Sequence, residues 1–237
     1  PPPPTPEKLA EAERLTREKE EQEARERQER RERAEKKEWG GRLPSNRLRN
    51  VGSASAEIRR LDVALVYAVD EAGPDVQRAI ARWAARRSCD VAGLSGVDWI
   101  TRGLAELDRY APFSPPLDDP RAAKNRLCSD PEVPSTVITL PDSTNESQQE
   151  MALLALIIGA DPDPLKAVLI ALYAAAGAHG TRWHDLLTEV RSVFPETAHA
   201  PLPPKTALLP PKKRPQRGNV NLAVAVAVEQ RPDEDPQ

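Results

Sequence analysis

The chain has 237 residues, 39 % of them apolar and 30 % charged, with a formal net charge of −3. So large a charged share means that part of it is not packed core, and so small a net charge argues against a protein that binds polyanions over its whole surface. Cys89 and Cys128 are the only cysteines; they are too few for a disulfide framework and lack metal-ligand spacing, so a reducing, cytoplasmic setting is expected.

The charge is unevenly placed. Residues 1–50 hold 14 bases and 12 acids, residues 51–196 hold 14 and 21, and residues 197–237 hold 6 and 4. The longest apolar run, Met151 to Ile158, is far short of the ~20 residues a membrane span needs. The N-terminus is proline followed by charge, which does not read as a secretory signal. Pro1 in first place fits a fragment or a processed product. Arginine far exceeds lysine in the middle region, a bias that suggests a bacterial, GC-rich source.

Pro1 to Pro6 is proline-rich and is read as non-helical. From Glu7 to Glu38 there are 12 acids and 11 bases, with Leu9 and Leu15 the only large apolar residues, so no coiled-coil seam exists. Glu13–Arg17, Glu21–Arg25, Glu23–Arg27, Glu26–Arg30, Glu29–Arg33 and Glu32–Lys36 each place Glu four residues before a base, the favourable orientation on a helix. The expectation is either a single charged helix or a solvated, disordered arm. Trp39-Gly40-Gly41 ends it, and a basic linker follows to residue 52.

Apolar periodicity begins at Ser53. One helix is expected from a Ser55 cap to Ala72, with Ile58, Leu61, Leu65 and Val69 inward. Gly73-Pro74 starts a second, with Val76, Ile80, Trp83 and Val91 inward and Arg78, Arg82 and Arg86 outward. Ser95 is read as the cap of a third, carrying Trp99, Ile100, Leu104 and Leu107. Asp118 or Asp119 with Pro120 opens a short helix to about Leu127. Val133 to Leu140 reads as extended, either lying against helices or pairing with another chain. Helices are expected over residues 146–158, 165–178 and, from a Thr181 cap, to Phe194, with Trp183, Leu186, Leu187, Val190 and Phe194 inward.

Shifting the chain by 89 positions lays Ala64-Leu65 on Leu153-Leu154, Val76 on Leu165 and Ile80 on Leu169. The core is thus either one helical bundle or two stacked three-helix units, 53–112 and 146–195. The fold class is all-α: a charged arm and linker over 1–52, a helical core over 53–195, and a disordered proline-rich tail over 196–237.

No phosphate loop, nucleophile elbow or metal constellation stands out. His179 and His184 are five apart, the wrong spacing for a helical metal pair. Cys89 beside Arg86 and Arg87 reads as an activated thiol or as a small buried side chain. The carboxylate pairs Asp118-Asp119 and Asp161/Asp163 are explained by capping before proline. No cofactor, metal or catalytic residue is therefore assigned, and the chain is read as a non-enzymatic helical interaction or scaffold protein whose partner is another protein. The partner-binding candidates are Val220, Leu222, Val224, Val226 and Val228, which alternate with Asn and Ala as a strand that could add to a sheet edge. The alternative is a DNA-associated regulator. It would use the helix-turn-helix-like segment 172–190 with Arg182, and the basic tail residues Lys212, Lys213, Arg214 and Arg217. Oligomeric state is not legible.

Overall fold

The computed structural model describes residues 6–140 and 144–199. The alternating segment Val220 to Val228 and the basic residues Lys212, Lys213, Arg214 and Arg217 lie outside the described residues. Two compact units divide between Ser45 and Asn46.

The first unit is built on α1 (Pro6–Glu38), so of the two readings of the arm the helix holds. It starts at Pro6, one residue inside the run read as non-helical, because the first helical position needs no backbone N–H and suits the fixed φ of proline. Three of the expected pairs close: Glu21–Arg25 at 3.9 Å, Glu23–Arg27 at 3.6 Å and Glu29–Arg33 at 3.2 Å. Arg30 turns its Nε to the Glu26 carbonyl at 3.3 Å, while Glu26 and Glu32 accept from Gln22 and Gln28. These groups are solvent-exposed, so each contributes only ~0.2–0.5 kcal/mol, and the helix depends on their number.

The second unit is helical apart from one small hairpin. Its elements are α2 (Asn46–Asn50), α3 (Ala56–Leu61), α4 (Val63–Glu71), α5 (Pro74–Val91), α6 (Asp98–Asp108), α7 (Pro120–Ser129), β1 (Val137–Thr139), β2 (Asn145–Ser147), α8 (Gln148–Ile158), α9 (Pro164–His179) and α10 (Trp183–Val193). Short 3₁₀ turns occupy Gly52–Ser55, Gly180–Arg182 and Pro195–Thr197. The centre is α9, which packs along α5 and α8 and also meets α3, α4 and α10. Its composition allows this: Ala171, Ala174, Ala175 and Ala178 are fully buried and let neighbouring backbones come close.

The helix expected over 55–72 is two helices. Asp62 leaves helical geometry at φ −159°, and its Oδ1 accepts from the Leu65 amide at 2.9 Å, capping α4. Ser55 caps nothing with its side chain; its hydroxyl donates back to the Gly52 carbonyl at 3.0 Å. The α6 and α10 caps at Ser95 and Thr181 also fail, because the helices begin later, at Asp98 and Trp183, with no side-chain cap. Where Asp precedes Pro the expectation holds. Asp119 caps α7 through Arg121 N at 2.8 Å, and Asp163 caps α9 through Leu165 N at 2.9 Å.

The buried stripe of α5 is rotated from the expected one. Ile80 is buried, but it lies with Gln77, Ala81, Ala84, Ala85, Ser88 and Cys89, whereas Val76, Trp83 and Val91 are only half-buried. Gln77 explains the rotation. Its Nε2 donates to the carbonyls of Val69 and Ala72, each at 2.9 Å, and its Oε1 accepts from Arg47 at 3.2 Å, so a polar residue takes an inner position fully satisfied. Trp83 meets Phe194 edge-on, with ring centroids 5.9 Å apart.

The extended segment finds its partner inside the chain. β1 pairs antiparallel with β2, Ile138 opposite Glu146, at a place the apolar pattern assigned to the start of a helix. Ser147 accepts from the Glu150 amide at 3.2 Å and so ends the strand and caps α8 in one residue. The stretches that the 89-residue shift superposes, α4–α5 and α8–α9, repeat in order but not in packing: α8 lies along α9, while α4 contacts α3, α9 and the Pro195–Thr197 turn.

Candidate functional site

Three arginines, Arg78, Arg82 and Arg86, stand one turn apart on α5 with no carboxylate between them at that spacing. Like charges four residues apart destabilise a helix, and each of the three meets a group from another element. Arg86 has one in Asp108, at the end of α6. Arg78 donates to two backbone carbonyls of the α8–α9 turn, Asp161 O at 3.2 Å and Pro162 O at 2.7 Å. Arg82 has a ring: its Cζ lies 4.6 Å from the centroid of Tyr110. That is a cation–π contact, worth ~0.5–1 kcal/mol at an exposed site. Among the described residues, Arg82 Nη1 is buried without a hydrogen-bond partner.

Arg78 and Arg82 line a cleft of about 370 Å³. Leu107 of α6 and Gly159 after α8 form its apolar part, and Tyr110, Pro112 and Phe113 come from the α6–α7 connection. A Cβ on Gly159 would meet Leu107 Cδ2 at 3.2 Å, so glycine there keeps the α8–α9 turn close against α6. Tyr110 sits at φ 55°, a left-handed backbone that directs its side chain away from the core and leaves it 61 % exposed. The cleft lining holds two bases and no acid. Nearby carboxylates are turned elsewhere: Asp161 pairs with Lys166 at 2.7 Å and Asp108 with Arg86. Glu106 accepts from the Ser114 hydroxyl and amide at 2.6 and 3.0 Å, which hold its carboxyl below the usual range and fix the loop bearing Tyr110 and Phe113.

A second cleft, of about 280 Å³, opens between α5, α9 and α10, and Arg182 lies on it. Here the charges compensate one another. Arg87 donates to Glu189 at 2.8 Å, and Asp90 and Asp185 also line the space. His179 is half-buried, with Nδ1 2.8 Å from the Ala175 carbonyl, and burial pushes its pKa below the ordinary range. Arg182 therefore stands beside acids, the opposite of what a phosphate backbone attracts. Of the nucleic-acid candidates read from sequence, it is the one among the described residues.

Cys89 is a buried side chain in the core, its thiol pushed up to about 12 by burial and by Asp90. Of its two readings this leaves the inert one, since the thiolate is the reactive form. Sequence reasoning assigned Arg78 and Arg82 to solvent and passed over Tyr110 and Phe113. A signal was present for Arg82: on α1 most bases have carboxylates at helical spacing, and on α5 Arg82 has none three or four residues away, whereas Arg78 follows Asp75 and Arg86 precedes Asp90.

Among the described residues no helix is long and apolar enough to cross a membrane. In comparison with protein-family models, curated proteins and solved structures, the chain matches none.

Proposed function

We propose that the chain is a non-enzymatic helical interaction module whose docking surface is the arginine-lined cleft on α5. The observation that carries this reading is the stacking of Arg82 on an exposed tyrosine in a cleft whose lining holds two bases and no acid. Arg and Tyr are the residues that most often anchor protein interfaces, because each combines a large contact area with directional donors. A folded core around α9 gives the surface a rigid support, and α1 offers a long charged helix beside it in sequence.

The test is affinity capture from cells of the source, with the wild-type chain and with an Arg78→Gln/Arg82→Gln variant whose helical circular dichroism is unchanged. A protein retained by the first and lost by the second supports the reading. Identical sets captured by both, or none by either, removes it.

A further inference from the structure

We infer that the cleft takes an acidic peptide segment, with a carboxylate on Arg82 and an adjacent apolar side chain against Leu107 and Phe113. This rests on the interaction reading above and names the chemistry of the partner.

The charge comes first. A guanidinium presents donors in a planar fork that matches a carboxylate in bidentate fashion. Arg78 uses two donors on the Asp161 and Pro162 carbonyls, which fixes its position on the cleft wall. Arg82 lines the cleft, held by stacking on Tyr110, and no acid is among the lining residues. A carboxylate entering the cleft would meet this guanidinium with opposite charge and no competing acid in the lining. The neighbouring acids cannot serve, since Asp108 and Asp161 are already paired with Arg86 and Lys166. The ligand must therefore bring its own negative charge.

The apolar half follows from the walls. Leu107 is buried at the base, and the half-buried Phe113 packs on the same core cluster. At about 370 Å³ the space is near the small end of ligand sites. Tyr110 and Pro112 are exposed on its rim and extend the surface beyond it. A chain lying across that rim can place one acid and one apolar side chain inside, whereas a small anion would leave the aromatic rim uncovered.

The experiment selects displayed random dodecapeptides on the full-length chain, then titrates the enriched peptide by calorimetry. Enriched sequences are expected to carry Asp or Glu next to an aromatic or aliphatic residue. Replacing that acid by its amide, or Arg82→Gln in the protein, should weaken binding about tenfold or more. Tyr110→Ala, at an exposed position, should weaken it several-fold with the thermal midpoint unchanged. Peptides enriched without an acid, or bound equally by folded Arg82→Gln, overturn the inference and leave the interaction reading standing. If Arg82→Gln does not fold, the amide peptide and Tyr110→Ala decide, because neither alters a buried group. Failure to enrich any peptide also overturns it, and the capture experiment then judges the interaction reading separately.

Discussion

Arg191 Nη2 donates to Asp62 Oδ2 at 2.6 Å, tying the C-terminal turn of α10 to the residue that caps α4. Both side chains are buried, at 8 % and 1 % exposure. The second oxygen and the second terminal nitrogen are also used: Asp62 Oδ1 accepts from Leu65 N and Arg191 Nη1 donates to Leu187 O at 3.0 Å. Burial pushes the Asp62 carboxyl above its ordinary pKa, against the opposing pull of the Leu65 amide and the Arg191 charge. Removing one partner of a pair so desolvated strands a buried charge, whereas replacing both is far better tolerated. Arg191→Leu should destabilise the core by about 3–5 kcal/mol, because it leaves the carboxylate alone. Adding Asp62→Asn, which keeps a capping side chain, should recover most of that loss. Urea unfolding of the two variants and of wild type measures both values, and a double variant as weak as Arg191→Leu would refute the account.

The two thiols should react at very different rates. Cys89 is buried with its thiol pushed up to about 12, while Cys128 is exposed at the end of α7. Ellman's reagent at pH 8 should titrate one thiol per folded chain and a second only after denaturation. Cys128→Ser should abolish the fast phase.

Gly180 joins α9 to the turn before α10 at φ 56° and ψ −126°, a backbone region that residues with a Cβ strongly disfavour. A Cβ there would also lie 3.4 Å from the Thr139 carbonyl and 3.5 Å from Ile138. Gly180→Ala should therefore cost about 1–3 kcal/mol, read from the denaturant midpoint. Gly73→Ala is the control, since its backbone is at φ −67° and nothing lies within 4 Å of the added carbon.

His179 makes stability depend on pH. Burial lowers its folded pKa beneath the ordinary value of 6.5, so the unfolded chain binds the proton more readily. Its contribution is complete above pH 6.5 and declines as pH falls through that value towards the folded pKa. Between pH 7.5 and pH 5.5 the wild type should lose more stability than His179→Gln. Equal losses in the two proteins would show that the imidazole does not sense the fold.

Periodicity and proline placement make most of the helical plan legible in the sequence. Ile58, Leu65, Ile100 and Leu104 are buried as their spacing requires, and Asp119 and Asp163 cap as their place before Pro dictates. These are local facts, set within one or two turns of chain. What tertiary structure decided came from groups distant in sequence. Asp62 breaks a helix beside a buried Arg191 that lies 129 residues away. Gln77 rotates α5 because it satisfies three partners on other elements, and β1 pairs with a segment whose own pattern said helix. The candidate site belongs to that second group. Arg82 is one more cation on a helix until Tyr110, Leu107 and Pro162 pack around it, and only that packing makes it part of a cleft with an aromatic rim and no acid in its lining.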